Sequence, residues 1–438
     1  MKRTKIAELE KSIGTRVKVQ AWLHEIRDQS KIKFMLLRDD SGIAQAIITS
    51  DKEDFEEVGR FTRESVLTII GTVKNANITN PEVSEKTLEI NVEKINVLSR
   101  ADQNLPIQVV KGKEAAELNT RLDWRWLDLR KPKNLLIFKV WTKMEAAMRE
   151  YWIKNGFVQI HSPKFMAAPS ESGAELFSVA YFGRTAYLAQ SPQFYKQMAM
   201  ASGFDRVFEI GPVFRANPSH TSRHDTEFTS IDMEMSFIDS HEDVMRFEEK
   251  WIVHFLTKVK KEFGEQIMKE FDHEIIIPKT PFPRVTMEQA LSLLREKGHD
   301  LKDGFDSEAE RLLSEIIKEK HNHEFVFITE YPVSERPFYH MRKEEDVTLT
   351  KSFDLVWSGL EVTTGAQREH RYEILKKQAE DKGLNLELIK DYLNFFKYGC
   401  PPHGGFGIGF TRLLVKALGL INVREATLAP RDTERLRP

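Results

Sequence analysis

Residues 16–100 alternate between apolar and polar side chains, and this alternation limits the fold more than any other feature of the chain. The first run alternates at Val17, Val19, Ala21 and Leu23, and similar runs follow at 33–38, 43–49, 65–73 and 87–98. A period of two residues is typical of half-buried β-strands. Turn-forming residues separate the runs, as in Asp39-Asp40-Ser41-Gly42. Five short strands in about 85 residues predict a small closed barrel, with the five-stranded OB-fold as the leading candidate.

The remainder of the chain mixes helical and strand-like patterns. Residues 101–134 contain Pro106, Gly112 and Pro132 and lack a long period, which predicts a hinge between a barrel at 1–100 and a larger domain at 135–438. A helix is predicted from about 134 to 155, where Asn155-Gly156 forms a typical C-cap. Strands are predicted at 157–161, 185–190, 206–215, 227–238, 325–330, 351–357 and 360–363. Helices are predicted near 192–202, 241–270, 286–297, 306–320, 371–380, 385–396 and 411–418. Turn-type links between many strands favour an α+β domain with a mixed, mainly antiparallel sheet.

The amino-acid composition restricts the classes of protein to which this chain can belong. Cys400 is the only cysteine, which excludes an intrachain disulfide and a cysteine-based zinc site and predicts a cytoplasmic location. The N-terminus lacks the apolar stretch of a signal peptide, and no run of about 18 apolar residues predicts a membrane span. Because the net charge is only −2, any RNA binding must come from local patches of basic residues.

Two segments carry the arginines that are candidates for phosphate binding. The first holds Arg215, Asn217, Arg223 and His224 between two strand-like runs, and the guanidinium fork suits phosphate or carboxylate oxygens. A solvated charged hairpin is the alternative interpretation. The second segment, residues 404–413, places four glycines, the last of them Gly409, before Arg412 at a predicted helix start. Such glycines let the backbone approach an anionic or planar ligand, or simply allow tight packing.

Two further segments carry carboxylates and amino-acid-binding candidates. Ser358-Gly359 is a hairpin turn signal that brings Asp354 and Glu361 close on adjacent strands. Two such carboxylates are natural Mg²⁺ ligands, although an exposed acidic strand is an equal alternative. In Gln190-Ser191-Pro192-Gln193-Phe194-Tyr195-Lys196, Ser191 is expected to cap a helix on which Gln193 and Lys196 share one face.

Taken together, these four segments resemble, in order and type, the signature motifs of the class II aminoacyl-tRNA synthetases. The helix at 134–155 and the strand after it resemble the motif that forms the homodimer interface in that family. The barrel resembles the anticodon-binding domain of the subclass that contains the aspartate, asparagine and lysine enzymes. The resemblance covers nearly the whole chain and implies ATP as substrate, Mg²⁺ as cofactor and tRNA as partner.

The resemblance is strongest to archaeal-type enzymes that use L-aspartate. Lys196 and Arg368 match the cations that those enzymes place around the aspartate side chain, and a buried carboxylate requires such compensation. By the same resemblance, Glu171, Gln193, Arg215 and Thr364 complete the amino-acid site. The ATP-binding residues implied are Arg215, Asn217, Arg223, His224, Glu361, Gly409 and Arg412. The implied Mg²⁺ ligands are Asp354, Glu361 and Thr364.

The resemblance also implies a two-step reaction. The aspartate carboxylate attacks the α-phosphorus of ATP, and the terminal ribose of tRNA then accepts the acyl group. Arg215 and Arg412 are the implied catalytic residues, acting through charge stabilisation and positioning. The chain departs from the family pattern at Asn217 and Thr411, because both positions usually hold glutamate.

Five barrel residues are implied to contact the anticodon. Phe34 and Gln45 match the stacking aromatic and the base-reading amide of the family, and Arg27 lies nearby. Strict relatives carry tryptophan and lysine where this chain has His24 and Pro81, so both tRNA(Asp) and tRNA(Asn) are candidate substrates. Each of two residues also has a structural interpretation. Phe34 could belong to the barrel core, and His24 could pack on the barrel without contacting the anticodon.

Three other functions are alternatives to aspartate attachment. A non-catalytic tRNA-binding paralogue is expected to lose Arg215, Glu361 or Arg412, and all three are present. An asparaginyl-tRNA synthetase is disfavoured by Lys196, because a neutral amide needs no ammonium partner. A stand-alone asparagine-synthesising relative would lack the anticodon barrel.

Overall fold

The chain divides into two compact units. The computed structural model describes residues 1–110, 116–168, 175–218, 221–299 and 305–438. The first unit comprises Met1–Leu136 and the second Ile137–Arg437. The predicted boundaries at 100 and 134 remain predictions. Within the described ranges, no helix combines the length and the apolar character needed to cross a membrane.

Five strands form a closed barrel in the first unit. They are β1 (Arg16–Gln29), β2 (Ile32–Asp39), β3 (Gly42–Thr49), β4 (Val66–Asn75) and β5 (Leu88–Ser99). Short helices accompany them, namely a 3₁₀ helix at Ile6–Ser12, α1 (Phe55–Val58), α2 (Leu118–Asp123) and α3 (Arg125–Asp128). The order around the barrel is β1-β2-β3-β5-β4, with β3 and β5 parallel and β1 closing antiparallel on β4. The predicted OB-fold is confirmed.

The alternation of β1 fills the barrel interior as predicted. Val17, Val19, Ala21 and Leu23 are buried and pack in one apolar cluster with side chains of the other strands. Each large apolar side chain that is fully buried contributes about 1.5–3 kcal/mol. A slip of one residue would turn all four toward solvent, so this cluster fixes the strand register.

A buried polar network accompanies the apolar core of the barrel. Arg38 donates to both oxygens of Glu64, at 3.0 and 2.6 Å, and Arg130 donates to the same carboxylate at 3.0 Å. Arg38 Nη1 also lies 2.6 Å from His24 Nδ1, and His24 Nε2 lies 3.0 Å from Glu82. Because arginine can only donate, Nδ1 of His24 accepts and its Nε2–H donates to Glu82.

The chain from α4 onward builds the second unit, whose first residue, Ile137, lies within α4. Its helices are α4 (Pro132–Lys154), α5 (Gln193–Ala201), α6 (His241–Phe271), α7 (Met287–Glu296), α8 (Ser307–His321), α9 (Tyr372–Asp381), α10 (Lys390–Lys397) and α11 (Phe410–Leu418). Its strands are β6 (Val158–Gln159), β7 (Phe165–Met166), β8 (Ser178–Tyr181), β9 (Arg184–Leu188), β10 (Arg206–Phe214), β11 (Glu227–Ser236), β12 (Arg284–Thr286), β13 (Phe325–Thr329), β14 (Ser352–Trp357), β15 (Leu360–Gln367) and β16 (His403–Gly409). Additional 3₁₀ turns lie at Val333–Glu335 and Val423–Ala426.

An eight-stranded sheet is the centre of this unit. Its order is β12-β13-β14-β15-β16-β11-β10-β6, with parallel pairs at both edges and antiparallel pairs between them. Strands β7, β9 and β8 form a separate small sheet. Trp152 of α4 stacks on Trp251 of α6 at 4.8 Å and on Phe208 of β10 at 4.7 Å. The predicted mixed, mainly antiparallel sheet with flanking helices is confirmed.

Strand β16 was not among the predicted strands. Glycine normally weakens a strand, so its glycine-rich sequence gave no strand signal. A Cβ atom on Gly405 would lie 2.1 Å from the Met233 carbonyl oxygen and 2.4 Å from Glu234 Oε2. One on Gly404 would lie 2.7 Å from the Ala366 carbonyl oxygen. Close packing against β11 and β15 therefore explains these two glycines.

The predicted hairpin joins β14 and β15. Ser358 and Gly359 both have positive φ, 46° and 81°, as a tight hairpin turn requires. Asp354 pairs with Thr364 and Val356 pairs with Glu361, with a register shift between them. The shift places Glu361 and Thr364 side by side, and Thr364 Oγ1 donates to Glu361 Oε1 at 2.9 Å.

Glu64→Gln should destabilise the barrel by about 3–5 kcal/mol, because it leaves Arg38 buried without its counter-charge. Hydrogen exchange of β1–β5 peptides in the full chain, measured over a urea series, would report the barrel transition. The exposed Glu10→Gln is the matched control. A loss below about 1 kcal/mol, which is typical of a surface pair, would contradict the role assigned to Glu64.

Candidate active site

One cavity of about 350 Å³ in the second unit gathers most of the predicted site residues. Of the residues predicted from sequence, it is lined by Gln193, Lys196, Arg215, Asn217, Arg223, His224, Glu361, Thr364, Arg368, Gly409 and Arg412. They come from α5, β15, β16, α11 and the β10–β11 connection, so segments far apart in sequence meet at one place. Asp354 is not in the lining, and Glu171 lies outside the described residues.

Helix α5 presents the amino-acid-binding candidates to this cavity. It begins at Gln193 with Pro192 as its N-cap, one residue later than the cap predicted at Ser191. Ser191 Oγ nevertheless accepts from the Gln193 backbone N–H at 3.2 Å. Gln193 and Lys196 are both buried and both line the cavity, as their i,i+3 spacing predicts.

Lys196 lies between two carboxylates of β11. Its Nζ is 3.0 Å from Asp232 Oδ1 and 3.3 Å from Glu234 Oε2, and the side chain is 2% exposed. Nζ also donates to the carbonyl oxygens of Met233 and Phe406, at 3.3 and 3.1 Å. The protein itself therefore supplies the counter-charges of this ammonium, a pairing that the local sequence pattern does not predict.

Arg368 shares one of those carboxylates. Its Nε donates to Glu234 Oε1 at 3.0 Å, and its Nη2 donates to the Gly405 carbonyl oxygen at 3.0 Å. Burial alone would raise the pKa of Glu234, but Arg368 and Lys196 outweigh burial and hold that pKa below its ordinary value. Lys196, Asp232, Glu234 and Arg368 thus form a charge-balanced set, termed here the buried quartet.

The β10–β11 connection carries the next three candidates. The Arg215 guanidinium carbon lies 5.7 Å from the centre of the Phe228 ring. Arg223 donates to Glu310 at 3.0 Å and to the Gly359 carbonyl oxygen at 3.0 Å. Burial, followed by the positive charges of Arg412, Arg223 and Arg215, lowers the pKa of His224. His224 is therefore neutral near pH 7. The positive charge on this side of the cavity comes from the arginines.

Arg412 and Glu361 face each other at the start of α11. Arg412 Nη1 donates to the Glu361 carbonyl oxygen at 3.0 Å and lies 3.7 Å from Glu361 Oε1. Gly409 is the N-cap of this helix. The Glu361 side chain is 33% exposed, so its carboxylate remains accessible to a ligand in the cavity.

Asp354 is buried and is not among the residues that line the cavity. Its Oδ2 accepts from Arg336 at 2.6 Å, while its buried Oδ1 has no hydrogen-bond partner among the described residues. Across the described ranges, no group of three or more histidine, cysteine, aspartate or glutamate side chains is arranged to hold a metal ion. The set of Asp354, Glu361 and Thr364 as Mg²⁺ ligands stays a prediction.

Several functional candidates were missed from the sequence. They are Asp225, Phe228, Asp232, Glu234, Arg336, Tyr339 and His340. The sequence does contain a signal for Asp232 and Glu234. These two acids alternate with methionines in a run that is otherwise typical of a buried strand. Acids at i and i+2 of such a strand point to one face and require cationic partners.

The first unit contains a separate cleft of about 240 Å³ on the barrel surface. Three predicted anticodon residues, Arg27, Phe34 and Gln45, line it. Phe34 is only partly buried, so its ring is accessible for stacking. Gln45 Nε2 donates to Glu89 at 2.8 Å, which orients the amide.

The other two anticodon candidates do not line this cleft. His24 is 2% exposed and bonds to Arg38 and Glu82 in the barrel network. Pro81 is exposed and follows Asn80, which does line the cleft. The anticodon roles of all five residues stay predictions.

The chain is similar to known proteins in both sequence and structure. The family model described as tRNA synthetases class II (D, K and N) matches residues 117–433, and the model of the OB-fold nucleic acid binding domain matches residues 17–98. The chain is 48% identical to the aspartate–tRNA(Asp/Asn) ligase of Methanopyrus kandleri, over 97% of this chain and 96% of that protein. It is 44% identical to the aspartate–tRNA(Asp) ligase of Pyrococcus abyssi, over 97% of each. The solved aspartyl tRNA synthetase from Entamoeba histolytica superposes with a TM-score of 0.89 at 33% identity, covering 100% of this chain and 93% of that chain.

Asp225, in the same cavity, yields a prediction about pH. Its side chain accepts from Thr427 Oγ1 at 3.4 Å, while Oδ1 is buried without a partner among the described residues. Burial raises the pKa of Asp225 to about 7. An unfolded aspartate has a pKa of about 3.9, so folding must take up a proton between that pH and about 7, and must bury the ionised carboxylate above it. The free-energy cost that Asp225 adds to folding therefore grows as the pH rises from about 4, and it reaches its full value above about 7.

Asp225→Asn should therefore be more stable than the parent chain at pH 8, by on the order of 4 kcal/mol, since each tenfold change in acidity is about 1.4 kcal/mol. The advantage should shrink as the pH is lowered toward 5. Thermal unfolding at pH 5, 6.5 and 8 would measure it, with the exposed Asp239→Asn as control. A stability difference that does not change with pH would show that Asp225 is already ionised at low pH.

Proposed function

Because the chain belongs to the class II tRNA synthetases of the aspartate, lysine and asparagine group, we propose that it attaches L-aspartate to tRNA(Asp) through an aspartyl-adenylate made from ATP. The observation that carries the proposal is the presence of Lys196 and Arg368 in one cavity with Arg215 and Arg412. The names of the relatives from Methanopyrus kandleri and Pyrococcus abyssi support aspartate as the amino acid.

The charges of the cavity favour aspartate over its two chemical rivals. A lysine side chain would need carboxylates, but Asp232 and Glu234 both lie within 3.3 Å of Lys196, and Glu234 also binds Arg368. An asparagine side chain is neutral and needs no ammonium. A second substrate carboxylate is the group that two buried cations accommodate best.

In the first step the α-carboxylate of aspartate attacks the α-phosphorus of ATP, forming the mixed anhydride and releasing pyrophosphate. We propose that Arg215 holds an α-phosphate oxygen together with the attacking carboxylate and that Arg412 stabilises charge on the ATP phosphates, since both arginines line the cavity. In the second step the terminal ribose hydroxyl of tRNA takes the acyl group and AMP leaves. Positioning and charge stabilisation dominate such chemistry.

The carboxylates near the phosphate side fit a magnesium ion. Asp354 Oδ1 is a buried oxygen without a partner among the described residues, and Glu361 presents an accessible carboxylate beside Thr364. Hard oxygen donors of this kind suit Mg²⁺, which when bound neutralises charge on the phosphate oxygens. Glu361 and Asp354, with Thr364, are the residues that would hold it.

The barrel cleft supports a role in tRNA selection. Phe34 offers a ring for stacking an unpaired base, and Gln45 offers an oriented amide for hydrogen bonds to a base edge. We also propose that the chain is a homodimer through α4 and β6. The exposed Ile153 and Val158, 64% and 48% accessible, support this surface as an interface.

ATP–pyrophosphate exchange with each of the twenty amino acids tests the amino-acid assignment. Aspartate should support exchange, with asparagine and lysine near background. Lys196→Leu should lower kcat/KM for aspartate at least a hundredfold, because breaking a buried charge pair costs about 3–5 kcal/mol.

The neighbouring Met198→Leu, on the exposed side of α5, is the matched control and should leave kcat/KM unchanged. Exchange with asparagine but not aspartate would refute the assignment. Aspartate activity within a few-fold of the parent in Lys196→Leu would refute the role of that residue.

The chain should also charge tRNA(Asn) with aspartate. The two anticodons differ only at the third base, and neither the buried His24 nor Pro81 offers a charged donor at the barrel cleft. A missing base contact costs about 1–3 kcal/mol, so kcat/KM for tRNA(Asn) should lie within about a hundredfold of that for tRNA(Asp). Aminoacylation of both purified tRNAs would measure the ratio. A value below about one thousandth would mean that another residue enforces discrimination.

A further inference from the structure

A chain of buried hydrogen bonds leads away from Gln193, which lines the cavity. Gln193 Nε2 donates to Gln197 Oε1 at 2.8 Å, one turn further along α5. Gln197 Oε1 also accepts from the Tyr392 hydroxyl of α10 at 2.9 Å, and Gln197 Nε2 lies 3.0 Å from His403 Nε2 at the start of β16. Gln197, Tyr392 and His403 are buried and do not line the cavity, so they can act on a ligand only through Gln193. These four side chains are termed here the amide relay.

The Pro401 carbonyl oxygen determines the direction of the first hydrogen bond in the relay. It lies 2.8 Å from His403 Nδ1 and can only accept, so Nδ1 carries the ring proton. Cys400 Sγ, 3.7 Å from the same nitrogen, is a weaker partner. Burial lowers the pKa of His403 to about 4, which keeps the ring neutral near pH 7 and leaves Nε2 as an acceptor. The Gln197 group that faces Nε2 must therefore be the amide NH₂.

The orientation of Gln197 in turn determines that of Gln193. With its NH₂ toward His403, Gln197 presents its oxygen to Gln193 and Tyr392, and the two lone pairs of that oxygen accept one hydrogen bond from each. The Gln193 group next to Gln197 is therefore its NH₂. The Gln193 amide oxygen accepts no hydrogen bond from a described residue, so it is the acceptor that Gln193 can offer to a ligand in the cavity.

An acceptor is the group that the rest of this part of the cavity lacks for an amino acid. Lys196, Arg215 and Arg368 also line it, and their side chains only donate. They suit the carboxylates of aspartate, but its α-ammonium brings three further donors and needs acceptors. An amide turned the other way has nearly the same shape, so only its hydrogen bonds select one orientation.

We propose that Gln197 is a positioning residue, held by His403 and Tyr392, that keeps the amide oxygen of Gln193 turned toward the α-ammonium group of the substrate aspartate. This inference rests on the proposed function, because the ammonium belongs to the proposed substrate. It gives a role in amino-acid recognition to three buried residues outside the cavity lining. A reversed Gln193 amide would instead place its NH₂ against the ammonium, with donors facing donors.

Two substitutions of Gln197 separate its acceptor from its bulk. Gln197→Met has a side chain of similar length, but its sulfur is only a weak acceptor, so neither orientation of the Gln193 amide is selected. In Gln197→Glu one carboxyl oxygen still accepts from Gln193 and Tyr392, while the other shares a proton with His403. The glutamate variant therefore keeps the orientation that the methionine variant loses.

The probes are two non-hydrolysable adenylate analogues, aspartyl sulfamoyl adenosine and its counterpart without the α-ammonium. Calorimetry on the full chain would give the Kd of each. In Gln197→Met the Kd of the aspartyl analogue should rise about 10- to 100-fold, as expected for a lost hydrogen bond to a charged group. The Kd of the counterpart should stay within a few-fold of the parent. In Gln197→Glu both Kd values should stay within a few-fold.

Gln378→Met is the matched control. Gln378 is also a buried glutamine, and it donates to the Phe338 and His340 carbonyl oxygens outside the relay. Its loss should change the two Kd values by the same factor, because it does not select the orientation of Gln193.

An equal loss of both analogues in Gln197→Met would overturn the proposal and leave Gln197 with a structural role only. An unchanged Kd in that variant, or a loss in Gln197→Glu as large as in Gln197→Met, would overturn it as well. If thermal unfolding shows that either variant is not folded, ¹⁵N spectra of labelled histidines in the parent chain decide. The His403 signals, assigned by their absence in His403→Gln, should show the proton on Nδ1, and a proton on Nε2 would reverse the relay and reject the proposal. Failure of the parent chain to exchange with aspartate would reject the proposed function instead.

Discussion

The buried quartet is the interaction on which the rest of the second unit depends. It ties α5 to β11 through Lys196 and Asp232, and it ties β11 to the end of β15 through Glu234 and Arg368. Moving such charges out of water is costly, so each one is retained only with its partners in place. Removing one member leaves the others uncompensated, and this makes the geometry of these elements unusually specific.

The quartet also explains the composition of the strand between β11 and β15. A Cβ atom at position 405 would lie 2.4 Å from Glu234 Oε2 and 2.1 Å from the Met233 carbonyl oxygen, so only glycine is accommodated there. The same close approach lets the Gly405 carbonyl oxygen accept from Arg368 at 3.0 Å. Because the quartet is neutral in sum, recognition of an anionic substrate depends on where the N–H groups of Lys196 and Arg368 point rather than on an excess of positive charge.

Linear patterns predicted the elements whose causes are local. The barrel followed from alternation in β1, the β14–β15 hairpin from Ser358-Gly359, and the end of α4 from Asn155-Gly156. The arginines of the cavity were predicted because their motifs are contiguous. Strand β16 was not predicted, because its glycines are required by close packing against Met233 and Glu234. These residues are more than 160 positions away in sequence.

The sequence by itself therefore determined the class of each unit, the order of its elements and the residues at which nucleotide and amino acid were expected. Only the tertiary structure decided how those residues are charged and oriented. Alternation and turn signals act over a few residues, whereas a pKa or a tautomer depends on every charge packed nearby. The positions of Asp232 and Glu234 around Lys196 and Arg368 arise from contacts between β11, α5 and the end of β15 that no single segment contains.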